Sequence, residues 1–431
     1  MKITLFQGIL FGVFGLAAVI GLIVFSTHTN NSNKNNAIGS VVIWGTLPKA
    51  DMQTVLAGVT QTNQALKGVS YVEKDPATLA ADLSTAIATG NSPDLILASQ
   101  EALVSLTKFI TPIPSSALPA NIFVNTFIKE GSVFAAPSGG YYGIPYLVDP
   151  LVLFSNRTIL SSDGIAKPPS TWEALAGLVP SVAMFTPTRQ IQRGLIALGT
   201  YDNVHDARGI LSTLFLQAGV PMSYYGPGGL TANLGSVSSS GAPPGQAVLG
   251  FYTQFADPSK VSYTWNVSLP DSQETFLAGG LALYLGYVSE ARFFTQANPN
   301  LDFNITPAPQ PATATSKNVY GLLYAFMIPR GAKNAAGASQ TASLLASSAG
   351  QAAAATGLAP ATLNQLTQLP TDPAGATAYA EALYTSGWLS PAPSDTDSIF
   401  SAMIGNVISG RSPINTALVT AEQSLNASSR Q

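Results

Sequence analysis

The stretch that decides the fold is YGIPYLVDPLVLFSNRTIL, from Tyr142 to Leu160. It is an apolar, strand-like run that Asp149-Pro150 interrupts. Proline has no backbone N–H to donate to a β-ladder, and it moves the preceding residue out of the helical region. We interpret this pair as the point where the chain passes from one lobe to another. A second proline-marked passage at Ile305–Pro311 predicts the return, and a single domain with an irregular edge strand is the alternative.

Strand and helix patterns alternate on both sides of this point. Before it, short β-branched strands alternate with helices whose apolar residues recur every three or four positions, as after Pro76. After it, Ser170 and Glu173 form a capping-box pattern that predicts a helix start. We then expect a mostly helical stretch over 189–255, interrupted by YYGPGGL and SSSGAPPG, a capped helix from about Ser272 and the strand LALYLGY. This alternation predicts an α/β fold.

The first residues have the pattern of a membrane-spanning helix. No polar side chain occurs from Gly8 to Phe25, and a helix of that length crosses about 30 Å of hydrocarbon. Lys2 precedes the run and favours an N-terminus on the inside. We expect a single transmembrane anchor over residues 1–26 and a flexible linker over 27–39, with the rest of the chain extracellular or periplasmic. A cleaved signal peptide is the alternative.

Composition excludes several kinds of site. The 431 residues carry a net charge of −3 and no run of Lys or Arg, so we expect no nucleic-acid binding. Cysteine is absent and the only histidines are His28 and His205, so we expect no thiolate or His-rich metal site and no cofactor. No nucleophile elbow or metal-binding helix motif occurs, and we expect a protein that is not an enzyme. A glycosidase with two catalytic carboxylates is the open alternative.

Several motifs resemble, in the same order, those of one known family. LSTAIATGNSPDLILAS, the opening stretch above and SQETFLAGGLALYLGYVSEA are similar to a helix–strand unit, the first hinge and a cleft-lining segment of that family. The family is the extracellular solute-binding proteins of ABC importers, in the maltose-binding-protein-like group for sugars. The resemblance covers nearly all of residues 40–431. It implies a two-lobed, type II periplasmic-binding-protein-like α/β fold with a hinge and an interlobe cleft.

The resemblance also implies boundaries and partners. We expect lobe I to comprise 40–149 with about 306–370, and lobe II to comprise 150–305 with about 371–431. The cleft is expected to capture a sugar or oligosaccharide by hinge closure, without chemistry, and to deliver it to the permease subunits of an ABC importer. An anchored sensor or interaction domain with the same fold is one alternative. A peptide or polyamine ligand is another.

Candidate binding residues are aromatic and polar side chains near the ends of predicted strands, in the first crossing between the lobes, or just before a proline-marked helix start. Aromatic rings cover the apolar faces of sugars, while amides and carboxylates pair with the hydroxyl groups. Loops at strand ends face the ligand in open α/β sheets. For Tyr287, the resemblance adds that its turn lines the cleft. Trp172 is left out because its position in the capping box favours buried packing. The predicted ligand-binding residues are Trp44, Thr46, Gln100, Glu101, Tyr146, Asp149, Arg189, Trp265, Asn266, Tyr287, Tyr320 and Trp388.

Overall fold

The structure is a computed structural model that describes residues 38–235 and 243–428. Strands and helices alternate along both ranges, which confirms the predicted α/β fold. The strands are β1 (Val41–Gly45), β2 (Val69–Glu73), β3 (Leu95–Ser99), β4 (Ile144–Asn156), β5 (Met184–Phe185), β6 (Ile191–Ile196), β7 (Met222–Gly226), β8 (Gly229–Asn233), β9 (Leu281–Tyr287), β10 (Phe303–Pro307), β11 (Val319–Met327), β12 (Ala359–Pro360) and β13 (Thr385–Ser386).

The α-helices lie between these strands and after the last of them. They are α1 (Lys49–Thr62), α2 (Leu79–Ala88), α3 (Gln100–Leu106), α4 (Ala120–Thr126), α5 (Arg157–Ser162), α6 (Trp172–Val182), α7 (Ala207–Gln217), α8 (Pro244–Thr253), α9 (Ser272–Leu277), α10 (Glu290–Ala297), α11 (Ala335–Ser347), α12 (Ala349–Thr356), α13 (Pro373–Ala382), α14 (Thr396–Ile408) and α15 (Ile414–Ser428).

The described residues divide into two compact units. Unit 1 contains the residues up to Val148 together with Leu322–Pro370, and unit 2 contains Asp149–Gly321 and the chain from Thr371 onward. Two of the boundaries therefore fall inside β4 and β11. The change of unit after Gly321 comes later than the return at about residue 306 that the sequence suggests. The reason is that β10 pairs with β4 inside unit 2.

Unit 1 is built on a mixed sheet with an apolar core. Strand β1 lies between β2 and β3 and is parallel to both. Strand β3 is antiparallel to the second part of β11, and the short β12 pairs with the first part of β4. Val41, Ile43 and Leu95 are fully buried, and α1 buries Met52 and Val55. In β1 these buried residues alternate with half-buried ones, so one face of the strand packs on the core.

Unit 2 has its own sheet, in the order β10–β4–β9–β6–β5. Strand β4 is antiparallel to β10 and β9, β9 is parallel to β6, and β6 is antiparallel to β5. The first part of β11 pairs with β13, and β7 and β8 form a separate hairpin. The carboxyl end of β9 and the start of β4's unit 2 segment are neighbours, because Leu151 pairs with Tyr287.

Asp149-Pro150 does not interrupt the strand-like run, contrary to the sequence-based interpretation. Strand β4 runs through both residues without a break. Pairing with β12 ends at Val148, and pairing with β9 begins at Leu151. Pro150, which cannot donate to a ladder, therefore lies where the strand changes partners. Its carbonyl accepts a hydrogen bond from the backbone N–H of Val288 at 3.0 Å.

The expectation of a mostly helical stretch over 189–255 is only partly correct. Helices α7 and α8 lie there, but β6 and the β7–β8 hairpin do as well. Strand β6 forms because it pairs with β9, more than eighty residues along the chain, through Gly194 and Leu281. No local sequence pattern indicates pairing with so distant a strand. The hairpin turn falls at Gly226–Gly229, in a Gly-Pro-Gly-Gly sequence typical of turns.

Helix starts are set by local side-chain caps, as the sequence predicts, with one shift of position. The hydroxyl of Thr171, not Ser170, accepts the N–H of Ala174 at 3.2 Å and caps α6. Trp172 is buried as expected, and its indole N–H donates to Gln217 Oε1 at 2.5 Å. The predicted helix from about Ser272 is confirmed as α9, capped by Asp271.

The core of unit 2 contains a cluster of packed aromatic rings. Phe294 of α10 lies at its centre, and its ring centroid is 5.2 Å from that of Phe154, 5.1 Å from that of Phe276 and 5.4 Å from that of Tyr284. All four side chains are buried. The interplanar angles of 65–89° are edge-to-face arrangements, which aromatic pairs favour. This cluster fixes α10 against β4 and β9.

The membrane prediction concerns residues that are not described. Within residues 38–235 and 243–428, no helix is both long enough and apolar enough to cross a bilayer. The anchor expected over 1–26 lies outside that part of the chain, as does the linker expected over 27–39 except for its last two residues. Of these, Ile38 is 5% exposed, and its carbonyl accepts a hydrogen bond from Asn334 Nδ2 at 2.9 Å.

We predict that Phe294→Ala lowers the free energy of unfolding by about 3–5 kcal/mol, because it empties the centre of the aromatic cluster. The matched control is Phe293→Ala on the same helix, since Phe293 is 44% exposed. We expect the control to cost less than about 1 kcal/mol. Urea unfolding followed by circular dichroism measures both values. Equal losses for the two variants would contradict the assigned core.

Candidate functional site

Helix α7 is the element against which several predicted residues lie. The Trp388 indole N–H donates to Ser212 Oγ at 2.9 Å, and the Tyr320 backbone N–H donates to Thr213 Oγ1 at 3.1 Å. At Gly209, an added Cβ would lie 2.7 Å from the hydroxyl oxygen of Tyr287. Three residues from separate parts of the sequence therefore contact Gly209, Ser212 and Thr213, which lie on one face of α7 at helical spacing.

The turn after β9 is fixed by the carboxylate of Glu290. One oxygen, Oε1, accepts the backbone N–H of Tyr287 at 2.7 Å. The other, Oε2, accepts the Tyr284 hydroxyl at 2.5 Å and the Gln273 side-chain amide at 2.7 Å. Hydrogen bonds to an ionised carboxylate are stronger than neutral ones. The position of Tyr287 therefore follows from an acid three residues later.

Glycine is required where this carboxylate meets the strand. A Cβ at Gly286 would overlap the Glu290 carboxylate and the Tyr284 ring. On the neighbouring helix, Gly209 leaves room for the Tyr287 ring. Glycine allows this close approach because it has no side chain. The sequence motif LALYLGY thus has a glycine just before its final tyrosine for a packing reason that local patterns do not reveal.

Asp149 ties the start of unit 2 to the same turn. Its Oδ1 accepts the backbone N–H of Ser289 at 3.1 Å, and the side chain is buried. Burial raises the pKa of Asp149 to about 7; hydrogen bonds from Ser289 oppose the rise, and the negative charge of Glu290 adds to it. Asp149 is thus a buried structural contact of the turn, and its carboxylate is protonated for much of the acidic range.

A second buried acid lies beside the turn. The Tyr284 hydroxyl is 3.3 Å from Asp206 Oδ2, in the residue that precedes α7. Burial raises the pKa of Asp206 well above its usual value, and the charge of Glu290 and a hydrogen bond with it raise the pKa further. The Asp206 carboxyl therefore holds its proton more tightly than an exposed aspartate does. This arrangement holds the start of α7 against the end of β9.

Three polar residues missed by the sequence analysis extend this face. The Arg208 guanidinium lies 5.7 Å from the centroid of the Trp388 ring, and its Nη1 is 3.7 Å from Asp397 Oδ2. The Tyr201 hydroxyl donates to Asp397 Oδ1 at 2.6 Å. Burial, and then the charge of Asp397, raises the pKa of Tyr201, so this hydroxyl keeps its proton. Trp388 is buried beneath Arg208 and stacks on Phe400 at 6.0 Å between ring centroids.

We call Tyr201, Arg208, Tyr287 and Asp397 the α7 cluster. Asp397 is the most accessible, with 64% of its side chain exposed, and the other three are half-buried. The cluster offers two phenol rings, a guanidinium donor and a carboxylate acceptor. It can therefore contact both the apolar face and the hydroxyl edge of a polar ring compound.

Tyr201 was missed because the sequence does not predict strand β6, whereas Arg208 lies inside a helix and carried no strand-end signal. Tyr201 lies shortly after the carboxyl end of β6, which is the position from which the other candidates were chosen. A strand assigned over Ile191–Ile196 would have made Tyr201 a candidate by the same rule. Asp397 carried no comparable signal, since it lies in the first turn of α14.

In unit 1, the accessible candidates lie at the ends of β1 and β3. Trp44 and Thr46 are half-buried. The Lys74 ammonium nitrogen is 4.0 Å from the centroid of the Trp44 ring and 2.9 Å from Asp82 Oδ2. The Trp44 ring is therefore already in contact with a cation. Glu101, at the start of α3, is also half-buried.

The remaining unit 1 candidates are fully buried. Gln100 Oε1 accepts the backbone N–H of Leu323 at 2.6 Å, which fixes β11 beside α3. The Tyr146 ring centroid is 4.5 Å from that of Phe326, and the Tyr146 hydroxyl has no hydrogen-bond partner among the described residues. Burial raises the pKa of Tyr146. Both side chains lie in the core of unit 1.

Arg189, Trp265 and Asn266 are not brought together with Tyr287. Arg189 is exposed in the β5–β6 turn and donates to the Pro258 carbonyl at 3.2 Å. Asn266 donates to the Tyr263 hydroxyl at 2.7 Å. Trp265 is fully buried near the start of β9, whereas Tyr287 is the last residue of that strand. Within the described residues, no group of three or more His, Asp or Glu has an arrangement that could hold a metal ion.

Comparison with sequence models of protein families matches residues 60–378 to the bacterial extracellular solute-binding proteins. The chain belongs to this family. Its members bind solutes and are not enzymes, which confirms the expectation of a non-catalytic protein. The family description also supports an extracellular or periplasmic position for the bulk of the chain. None of the curated proteins matches this solute-binding protein in sequence.

Solved structures of other solute-binding proteins have a similar fold. A cyclic α-maltosyl-1,6-maltose binding protein from Arthrobacter globiformis has a TM-score of 0.73 and 16% identity, covering 91% of this chain and 99% of its own. A cyclo/maltodextrin-binding protein complexed with maltotetraose has a TM-score of 0.71 and 14% identity, and the match covers 92% of this chain and 98% of that one. The Thermus thermophilus maltotriose binding protein has a TM-score of 0.64 and 16% identity, and the match covers 90% of this chain and 99% of that one. At these identities the likeness shows a shared fold.

We predict that Asp149→Asn removes part of the pH dependence of stability. The pKa of Asp149 is about 7 in the folded protein against an ordinary 3.8. The folded state therefore binds this proton more tightly, and wild-type stability falls as pH rises from about 4 to about 7, by roughly 1.4 kcal/mol per pH unit. The variant should gain stability relative to wild type across this window, and the difference should be constant above it.

The control for this measurement is Asp257→Asn. Asp257 is half-buried, and hydrogen bonds from Ser259 lower its pKa, so its replacement should give no relative gain as pH rises. Thermal unfolding at a series of pH values measures both variants. A pH-independent difference between Asp149→Asn and wild type would contradict the raised pKa of Asp149.

Proposed function

We propose that this solute-binding protein binds a neutral oligosaccharide at the α7 cluster of unit 2 and delivers it to the permease subunits of an ABC importer. The observation that carries the proposal is the ion pair of Arg208 and Asp397 beside the Tyr201 ring, with the Tyr287 ring against the next residue of α7, Gly209. An aromatic face next to planar charged groups matches the two surfaces of a sugar ring. The N-terminal anchor over residues 1–26 is part of the same proposal.

The roles of the four residues follow from their chemistry. Asp397 can accept hydrogen bonds from vicinal hydroxyls, and Arg208 can donate to hydroxyl or ring oxygens in a fixed geometry. The Tyr201 hydroxyl orients the Asp397 carboxylate. Tyr287, held by Glu290, supplies a ring face that needs no rearrangement on binding. Pre-ordered side chains lower the entropic cost of binding.

The comparisons support a sugar of the malto-oligosaccharide type as the first ligand to test. The similar structures described above bind maltotetraose, maltotriose or a cyclic maltosyl-maltose. A polyamine fits the cluster less well because it requires several carboxylates without partners, whereas Asp397 already faces Arg208. Two alternatives remain for a ligand screen to test. One is a peptide ligand in place of a sugar, and the other is a sensor that takes no part in transport.

Wild-type protein should bind maltotetraose in isothermal titration calorimetry, and it should bind short peptides and polyamines more weakly or not at all. Asp397→Ala and Tyr287→Ala should each reduce maltotetraose affinity by about 10–100-fold, because each removes a charged hydrogen-bond partner or a ring face. Tyr224→Ala is the control, since Tyr224 is 52% exposed on the β7–β8 hairpin. It should bind as wild type does.

Two results would contradict this proposal. Unchanged affinity in both Asp397→Ala and Tyr287→Ala would remove the α7 cluster as the sugar site. Tight binding of a peptide or polyamine, with no response to any sugar, would keep the solute-binding fold and overturn the ligand class. Circular dichroism of each variant shows whether a loss of binding reflects a loss of structure.

A further inference from the structure

Unit 2 contains a pocket at the opposite end of β9 from the α7 cluster. Its volume is about 390 Å³, within the range of roughly 300–1,000 Å³ that small-molecule sites occupy. Gly280, just before β9, lies at the pocket, while Tyr287 ends the strand. Seven residue steps at about 3.3 Å each separate the two places by roughly 23 Å. The pocket is therefore distinct from the proposed sugar site.

The walls of the pocket are mostly apolar. Ile191 and Gly194 come from β6, Leu269 and Pro270 from the loop before α9, and Ala278 from the end of that helix. The fully buried Trp265 ring lies behind them. An apolar group about the size of one aromatic ring can pack against these side chains, and its removal from water favours binding.

The pocket also has one carboxylate whose charge is not balanced. Glu274 of α9 is exposed at the rim, and its side chain makes no hydrogen bond or ion pair with any described residue. Neither Lys nor Arg occurs among the described residues that line the pocket, and its other polar side chains, Gln192 and Thr275, are uncharged. The pocket thus combines an apolar wall with a single free negative charge.

We propose that this pocket binds a small hydrophobic amine. The apolar part of the amine lies against Ile191, Leu269 and Ala278, and its ammonium group pairs with the Glu274 carboxylate. An ammonium ion has donors only, so the Gln192 carboxamide oxygen is a second acceptor within the same rim. Because the contact with Glu274 is partly open to solvent, the interaction weakens as salt is added. The proposal does not depend on the sugar site.

The test uses three probes of similar shape on the full chain labelled with 5-fluorotryptophan. Phenethylamine carries a positive charge, 2-phenylethanol none, and phenylacetate a negative charge. Trp44, Trp172, Trp265 and Trp388 give four ¹⁹F signals, and Trp265→Phe identifies the one beside the pocket. Phenethylamine should shift the Trp265 signal in a saturable way and bind about two- to fivefold more tightly than the alcohol, because an ion pair at an exposed rim contributes little. Phenylacetate should cause no shift.

Two variants test the parts of the pocket separately. Glu274→Gln should abolish the preference for phenethylamine over 2-phenylethanol, and Ala278→Leu should fill the pocket and block both. Ala81→Leu, at an exposed position on α2 in unit 1, is the control and should leave binding unchanged. Equal affinity for amine and alcohol in the wild type, or an amine preference that survives Glu274→Gln, would overturn the proposal. A shift confined to other tryptophan signals would also overturn it.

Discussion

The candidate site depends on the carboxylate of Glu290 and its hydrogen bonds to Tyr287 N–H, the Tyr284 hydroxyl and the Gln273 amide. These bonds fix the turn between β9 and α10, and therefore the direction in which the Tyr287 ring leaves the strand. The turn is held from its other side by Asp149, which accepts the N–H of Ser289. A ring positioned by buried hydrogen bonds is available for binding without prior ordering.

Helix α7 provides the base on which this turn rests. Its residues from Ala207 to Phe215 are buried apart from Arg208, so the helix lies inside unit 2 and not on its surface. Polar contacts to such a helix require small hydroxyl side chains, and Ser212 and Thr213 supply them to Trp388 and Tyr320. Arg208, the exception, projects toward Trp388 and Asp397. The one charged residue of the helix is therefore the one that the proposed function uses.

Local patterns in the sequence predict what depends on neighbouring residues and fail where distant residues decide. The start of α9 at Ser272 and the burial of Trp172 follow from caps and apolar spacing within a few residues. Strand β6 and the unbroken β4 depend on pairing with β9, which local periodicity does not report. Tyr287 was found through its strand end and the family resemblance. Tyr201 was missed with β6, and Asp397 meets Arg208 only through the tertiary fold.

The most direct test of the account is hydrogen–deuterium exchange of the full chain with and without saturating maltotetraose. Binding at the α7 cluster predicts slower amide exchange in residues 201–213, in the turn over 284–290, and in residues 388–400, where Trp388 and Asp397 lie. The β7–β8 hairpin over 222–233 should exchange at an unchanged rate. Saturating sugar that leaves 201–213 and 284–290 unprotected, or that protects only other segments, would contradict the central claim.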